Sequence, residues 1–282
     1  MNVCGASTRL TQMPDPQGFY ETGRTTVFAS RGDQRFSYCL YLPARDSQVP
    51  LVVIMHGTGR DNTGYRDAFA DFAEEHGCAV LAPLFPAGIG DPEDLHNFKF
   101  IQYQDIRFDQ VLLDIVDEVG ERFNLGTRRF CLHGFSGGGQ FVHRFFYLHP
   151  DRLAAASIGA PGRVTLLDPD QPWWLGTKGF AEQFGQEIDL ERLRAVPVQM
   201  VVGDQDVETW EINNPGHSNW MDGAERAGRT RVERLRTLRD NYREAGINVR
   251  FDVVPGVAHN GQKVLPVVKE FFAEILTKEL IR

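Results

Sequence analysis

Short apolar runs alternate with amphipathic segments along most of this chain, a pattern that indicates strands followed by helices. Residues 36–42 alternate in polarity and predict a strand with one exposed face. Continuous apolar runs predict the remaining strands, at residues 51–55, 78–82 (stopped by Pro83), 129–132, 153–158, 198–202 and 249–254. Apolar residues at helical spacing predict helices over residues 65–75, 106–123, 140–148 and 264–280.

Alternating strands and helices predict an α/β fold, a mainly parallel sheet with helices on both faces. A chain of 282 residues fits a single domain of this kind. Two connections, at about 160–196 and 207–245, are too long for simple crossovers, and we expect them to form lids or binding insertions. No internal repeat or low-complexity tract interrupts the pattern.

The balance of charge and apolar residues excludes several classes of function. The net charge is −8, which argues against general nucleic-acid binding and against an anionic membrane surface as partner. No apolar run approaches the ~18 residues of a membrane span, and residues 1–10 lack a signal-peptide core. Three of the four cysteines lie in apolar runs, as buried free thiols do. We therefore expect a reduced, cytoplasmic protein; export after processing of the N-terminus, with Cys4 in a trimmed signal, is the alternative.

The motif with the clearest chemistry is Gly134-Phe-Ser-Gly-Gly138, which fits G-x-S-x-G between a predicted strand and a predicted helix. In that setting Ser136 occupies a sharp turn and presents its hydroxyl at the positive end of the helix. A nucleotide loop is excluded because neither G-K-[ST] nor G-x-G-x-x-G is present. An ordinary glycine-rich turn would explain the glycines, but the strand and helix favour a nucleophile.

A serine hydroxyl needs a base to accept its proton. His259 follows the last predicted strand and precedes the last helix, at the sheet edge where Ser136 is expected. His96 and His217 lie in predicted loops, where either could touch a substrate. The other histidines lie on or beside helices and strands, and His56 is expected to be structural.

The base needs an acid that fixes its tautomer. The strand at 198–202 ends in Gly203-Asp-Gln-Asp206, which offers two carboxylates. We choose Asp206 because G-x-x-D is the usual arrangement after this strand, and we expect Asp204 to shape the turn.

An oxyanion needs two backbone N–H donors. Gly137, the residue after the predicted nucleophile, should supply one, and the loop His56-Gly-Thr-Gly59 the other, with Thr58 as the chosen donor. No histidine, cysteine and carboxylate set has metal-ligand spacing, so no metal site is predicted.

Substrate contacts are expected from Phe135, Trp173 and Trp174. Adjacent tryptophans cannot both face one core, which predicts that one of them lies at a pocket mouth. The arginine-rich stretch 225–243 is most simply a solvated helix face. Its alternative role is to bind an anionic substrate from a lid.

The order of Ser136, Asp206 and His259, with His-Gly upstream, resembles the α/β-hydrolase superfamily over nearly the whole chain. Within it, the chain resembles polyhydroxybutyrate-depolymerase-like and feruloyl-esterase-like hydrolases, through residues 36–43, 55–62, 65–67, 134–139 and 254–260.

The resemblance implies a cofactor-free serine hydrolase that cleaves carboxylic esters through an acyl-enzyme. An evident export signal, a disulfide framework and an appended polymer-binding module are lacking, so a small or oligomeric ester is the expected substrate. An amidase or peptidase with the same triad, and a non-catalytic binding protein of this fold, remain alternatives, and the oligomeric state is open.

Overall fold

A computed structural model describes residues 22–45, 47–209, 216 and 219–280 of the chain, with side chains as far as residue 277. The strands of the described part are β1 (Gly23–Arg24), β2 (Phe28–Ala29), β3 (Ser37–Leu42), β4 (Pro50–Met55), β5 (Ala79–Leu84), β6 (Gln102–Tyr103), β7 (Ile106–Arg107), β8 (Gly126–Phe135), β9 (Leu153–Gly159), β10 (Val198–Gly203) and β11 (Val249–Val254).

The helices are α1 (Asn62–Ala68), α2 (Ala70–His76), α3 (Phe108–Phe123), α4 (Gly137–Leu148), α5 (Phe180–Phe184), α6 (Leu190–Ala195), α7 (Arg231–Glu244) and α8 (Gly261–Leu280). Short 3₁₀ turns occur at Asn97–Phe100, Pro150–Arg152 and Ala224–Ala227. None of the helices in the described residues has both the length and the apolar character needed to cross a membrane.

The main sheet has the strand order β1-β3-β5-β4-β8-β9-β10-β11, with β2 also paired to β3. Neighbours from β5 to β11 are parallel, whereas β3 runs antiparallel to β5. Strands β4, β9 and β10 are almost wholly buried, as is β8 from Phe130 to Phe135, which explains their continuous apolar runs. The structure thus confirms the α/β class predicted from the sequence.

The expectation of one exposed face on the 36–42 strand is wrong. In β3, Tyr38, Cys39, Leu40 and Leu42 are all buried. The Tyr38 hydroxyl donates to Glu118 of α3 on one face, while Asn62 of α1 contacts Cys39 on the other. The strand is covered because helices pack on both sides of it.

Pro83 does not stop β5, which continues to Leu84. The pairing with β4 ends at Leu81, so beyond this point β5 has only β3 as a neighbour. Proline has no N–H to donate, and this is tolerated where one side of a strand is unpaired.

The helix expected at 65–75 is two helices, α1 and α2, which meet at Phe69. Helix α1 begins at Asn62, three residues earlier than the apolar pattern suggested, because the Asp61 carboxylate accepts a hydrogen bond from Gly64 N–H and caps it. The Phe69 side chain is completely buried, so the junction lies within the core.

The arginine-rich segment is only partly solvated. In α7, Arg236 and Arg243 are exposed, but Arg231 and Arg234 are each only 2% exposed. These two side chains are three residues apart and therefore lie on one face of the helix. That face is turned into the protein, which corrects the expectation of a solvated helix.

Candidate active site

Ser136 stands at the turn between β8 and α4, at the carboxyl edge of the sheet. Its backbone has φ 58° and ψ −114°, a conformation that non-glycine residues rarely adopt. The turn is held by Ser136 N–H donating to Gly159 C=O and by Gln140 N–H donating to Ser136 C=O. The strain therefore presents the hydroxyl outward from a turn that is fixed by its neighbours.

The glycines of the motif are required by close packing. A Cβ on Gly134 would lie 2.5 Å from the Gly138 carbonyl, and one on Gly138 would lie 2.6 Å from Met55 C=O. These contacts are with backbone atoms, which have little room to move. Only glycine, which has no Cβ, permits such a close approach between β8, α4 and the end of β4.

His259 bridges Ser136 and Asp206. Its Nε2 lies 2.9 Å from Ser136 Oγ, and its Nδ1 lies 2.6 Å from Asp206 Oδ2. A carboxylate only accepts, so Nδ1 carries the proton that is donated to Asp206, and Nε2 is left to accept the serine proton. The three residues that the sequence singled out thus form one hydrogen-bonded chain.

Asp206 and Asp204 have different surroundings. Asp206 is completely buried, whereas Asp204 is exposed and accepts a hydrogen bond from Gly256 N–H, at 2.7 Å. That bond ties the turn after β10 to the turn after β11, where His259 lies. The geometry agrees with the separate roles expected for the two carboxylates.

The loop after β4 lies directly against the turn that carries Ser136. An ideal Cβ on Gly137 would lie 3.1 Å from Thr58 N, so the Thr58 and Gly137 backbones adjoin. Arg60 braces this loop: its Nη1 donates to Thr58 C=O at 2.6 Å and to Leu95 C=O at 3.0 Å. Gly137 begins α4, and the first N–H groups of a helix have no partner within it. The two backbone segments expected to bind an oxyanion therefore lie next to each other, beside Ser136.

A cleft of about 340 Å³ opens beside Ser136 and His259. The described residues that line it are 57–61, Tyr65, Phe135, Ser136 and 259–262. Phe135 packs on the imidazole of His259, with ring centroids 4.9 Å apart. Sequence reasoning assigned no role to Arg60, Tyr65 or Gln262, although Arg60 and Tyr65 fall in stretches that carried the family resemblance.

The two tryptophans are not among the described residues that line this cleft, so their contact with a substrate stays a prediction. Trp174 is 6% exposed and packs on Phe100, with ring centroids 5.4 Å apart. Trp173 packs on Phe180 and Phe184 of α5. The two adjacent rings do face different neighbours, as expected: Trp173 packs on residues of the 160–196 segment, whereas Trp174 packs on Phe100 from the turn before β6.

The remaining histidines with predicted roles are also located. His56 is buried between Gly57 C=O and Phe85 N–H, and burial lowers its pKa to about 3, which fits a structural role. His96 Nδ1 lies 2.7 Å from Lys99 Nζ. His217, the other candidate for substrate contact, lies outside the described residues, as does Cys4. Cys39, Cys78 and Cys131 are buried free thiols.

No group of three or more potential metal ligands occurs among the residues that the structure describes. The arrangement seen is instead a strained serine, a histidine and a buried carboxylate at the carboxyl edge of a doubly wound sheet. A serine at the strand–helix turn, an acid after a later strand and a histidine before the last helix, in that chain order, are features of the α/β-hydrolase fold. The chain has this fold.

Comparisons with solved structures lead to hydrolases of the same fold. The chain is similar to the poly(3-hydroxybutyrate) depolymerase LpqC from Bordetella parapertussis, at 25% identity and a TM-score of 0.69, over 84% of this chain and 83% of that one. It is also similar to poly(aspartic acid) hydrolase-1 from Sphingomonas sp. KT-1, at 21% identity and a TM-score of 0.73, over 88% and 98%.

A ferulic acid esterase structure matches with 14% identity and a TM-score of 0.60, over 90% of this chain and 99% of that one. No family model and no curated protein matches the chain. The resemblance to depolymerase and feruloyl esterase structures is therefore confirmed at the level of the fold.

Proposed function

We propose that this protein is a serine hydrolase that cleaves carboxylic esters, with Ser136 as nucleophile, His259 as base and Asp206 as acid. The observation that carries the proposal is the continuous hydrogen-bonded chain from Ser136 Oγ through the imidazole to the buried Asp206. A serine turned outward by a strained backbone and aligned with a base has the geometry of an activated nucleophile.

In the first half of the reaction, Ser136 Oγ attacks the ester carbonyl carbon while His259 Nε2 accepts the hydroxyl proton. The Gly137 and Thr58 N–H groups donate to the oxyanion that forms. The tetrahedral intermediate then collapses: the bond to the alcohol oxygen breaks, and the imidazolium returns its proton to the leaving alcohol. The acyl group remains on Ser136.

In the second half, a water molecule gives a proton to His259 and attacks the acyl carbon. The oxyanion forms again at the same two N–H groups, and the bond to Ser136 breaks with the proton returned to its oxygen. Asp206 keeps the imidazole in one tautomer and stabilises its charged form during both halves. Since all proton transfers occur on these side chains, the scheme uses no cofactor or metal.

For the substrate, we propose a small or oligomeric ester. Support comes from the open cleft of about 340 Å³ and from the structural similarity to a poly(3-hydroxybutyrate) depolymerase and a ferulic acid esterase. The three buried free thiols also favour a reducing compartment, and we propose the cytoplasm.

The test is Ser136→Ala, assayed with esters of increasing chain length, aryl esters and soluble hydroxyacid oligomers. We expect turnover to fall by roughly 10⁴-fold or more, and labelling by a fluorophosphonate probe to disappear. Circular dichroism of the variant should match the wild type. A variant that still labels or hydrolyses esters at the wild-type rate would refute the proposal.

Matched ester and amide substrates separate the alternatives. We expect the ester to be cleaved faster by several orders of magnitude. Preferential cleavage of the amide would identify an amidase or peptidase with the same triad. Absence of both turnover and probe labelling in the wild type would identify a binding protein.

A further inference from the structure

Two segments at the carboxyl edge of the sheet line the cleft beside Ser136. Residues 57–61 follow β4, and residues 259–262 lead from the loop after β11 into the first turn of α8. Tyr65 of α1 lines the same cleft. Because α1 begins directly after residue 61, the Tyr65 side chain starts from the first segment and can extend to the second.

The Tyr65 hydroxyl does reach the second segment. A Cβ on Gly261 would collide with the Tyr65 hydroxyl oxygen, and it would lie 3.0 Å from Cδ1 of Phe135. Phe135 in turn packs on the imidazole of His259, with ring centroids 4.9 Å apart. The hydroxyl therefore lies over Gly261, on the histidine side of the cleft, and the glycine leaves the room that it occupies.

This hydroxyl is a hydrogen-bond donor without an acceptor in the protein. The Tyr65 side chain is only 8% exposed, yet its hydroxyl forms no hydrogen bond with any residue that the structure describes. The Asp61 carboxylate, which also lines the cleft, accepts from Gly64 N–H instead. Buried tyrosine hydroxyls usually have a partner, so an unpaired one at the surface of a cleft indicates a position for an acceptor of a ligand.

The hydroxyl keeps its proton under working conditions. Burial, and then the charge of Asp61, raise the pKa of Tyr65 to about 12. Tyr65 is therefore an O–H donor throughout the pH range in which a neutral His259 acts as base. Since the Asp61 charge acts at the same place, an uncharged acceptor oxygen is favoured over an anionic one.

The chemistry of ester cleavage decides which part of a substrate lies there. The carbonyl oxygen of the ester points to the Thr58 and Gly137 N–H groups, and the leaving oxygen must be within reach of His259 Nε2, which protonates it. An alcohol group in this orientation runs along the segment from His259 to Gly261, where the Tyr65 hydroxyl lies.

We propose that the Tyr65 hydroxyl donates a hydrogen bond to the alcohol portion of the substrate, so that the favoured esters carry a second, uncharged acceptor oxygen in that portion. An ether or a hydroxyl group supplies such an oxygen. Tyr65 is thus a specificity-determining residue and takes no part in the proton transfers. This inference rests on the proposed ester hydrolysis.

The test uses n-butyl butyrate and 2-methoxyethyl butyrate, whose alcohol groups have the same length and differ by an ether oxygen in place of one CH₂ group. Both form the same butyryl-enzyme, so a difference between them arises before deacylation. In Tyr65→Phe, kcat/KM for the methoxyethyl ester should fall by roughly 3- to 10-fold relative to the wild type, the range of one neutral hydrogen bond. For the butyl ester it should change by less than about 2-fold. A pH-stat follows the butyric acid released from both.

Two controls separate this role from a structural one. Tyr41→Phe removes a hydroxyl that donates to Glu74 and does not line the described cleft, and this variant should hydrolyse both esters as the wild type does. n-Butyl methoxyacetate carries the ether oxygen in its acyl group instead. Tyr65→Phe should leave its kcat/KM within about 2-fold of the wild-type value. Circular dichroism checks that both variants are folded.

An equal loss on all three esters in Tyr65→Phe would overturn the specificity role and identify Tyr65 as a support for the His259 loop. An unchanged kcat/KM for the methoxyethyl ester, or a loss confined to the methoxyacetate, would overturn it as well. In each of these cases the wild type still hydrolyses n-butyl butyrate, so the proposed function stands. Absence of hydrolysis of every ester by the wild type would refute the proposed function and the role of Tyr65 with it.

Discussion

Arg231 lies against the oxygen of Asp206 that faces away from His259. Its Nη1 is 3.5 Å from Asp206 Oδ1, while Oδ2 accepts the imidazole proton at 2.6 Å. The buried carboxylate thus has a positive charge on one side and a neutral donor on the other. The carboxylate of the triad is therefore contacted from both sides, by the Arg231 guanidinium and by the His259 imidazole.

Asp206→Asn should lower kcat by about 10⁴-fold, because an amide no longer holds the imidazole in the tautomer that accepts the serine proton. Asp204→Asn should lower kcat by less than about 10-fold, since its carboxylate is exposed and only accepts a hydrogen bond from Gly256 N–H. Steady-state kinetics on one ester check the order of effects. The reverse order would assign the acid to Asp204.

Gly138→Ala should destabilise the fold by about 3 kcal/mol or more, because the new Cβ would meet two carbonyl oxygens of the β4 end, at 2.6 and 2.8 Å. Gly32→Ala is the control, since the nearest atom to its Cβ would be at 3.6 Å. Urea unfolding compares the two variants. Equal stabilities would show that the turn between β8 and α4 is packed less closely than these distances imply.

Trp174→Ala should reduce the free energy of unfolding by about 3–5 kcal/mol, the usual cost of removing a large buried ring. Its ring is 6% exposed and packs on Phe100, so the chain-length preference for neutral esters should remain that of the wild type. Trp220→Ala is the matched control because this ring is 40% exposed. Stable Trp174→Ala protein with an altered preference would assign the ring to the substrate pocket.

Acid should weaken the fold through its buried histidines. Burial lowers the pKa of His133 to about 3, well below the ~6.5 of a histidine in an unfolded chain. Between these values the unfolded chain binds a proton that the folded protein does not. The contribution of each such histidine to the free energy of unfolding is therefore fully present above pH ~6.5. It decreases as the pH falls, by about 1.4 kcal/mol per pH unit.

Replacement by asparagine tests this for His133, whose Nδ1 lies 2.9 Å from Ser157 Oγ. In His133→Asn, the slope of unfolding free energy against pH between 6 and 4 should be smaller by about 1.4 kcal/mol per unit. Urea titrations at each pH give the slope. The same slope in both proteins would contradict a buried neutral imidazole, whatever the absolute stability of the variant.

Much of the fold was predictable because its signals are local. Residues 249–254 form β11 with the predicted bounds, and the apolar period located α3 and α8 to within a few residues. The carboxyl ends of parallel strands meet at one edge of the sheet. Because Ser136, Asp206 and His259 each follow a predicted strand, the sequence predicted that they lie in the same region. The single-domain organisation stays a prediction.

The sequence by itself determined which residues carry the candidate chemistry, since a strand–turn–helix motif and the residues after two later strands have a fixed meaning in this fold. Only the tertiary structure decided which distant side chains surround them. Trp174 packs beside Arg144 of α4, and Arg231 and Arg234 turn inward on a helix that composition alone describes as polar. Such contacts join residues far apart in the chain, and no local pattern records them, because burial depends on what the rest of the fold brings to each face.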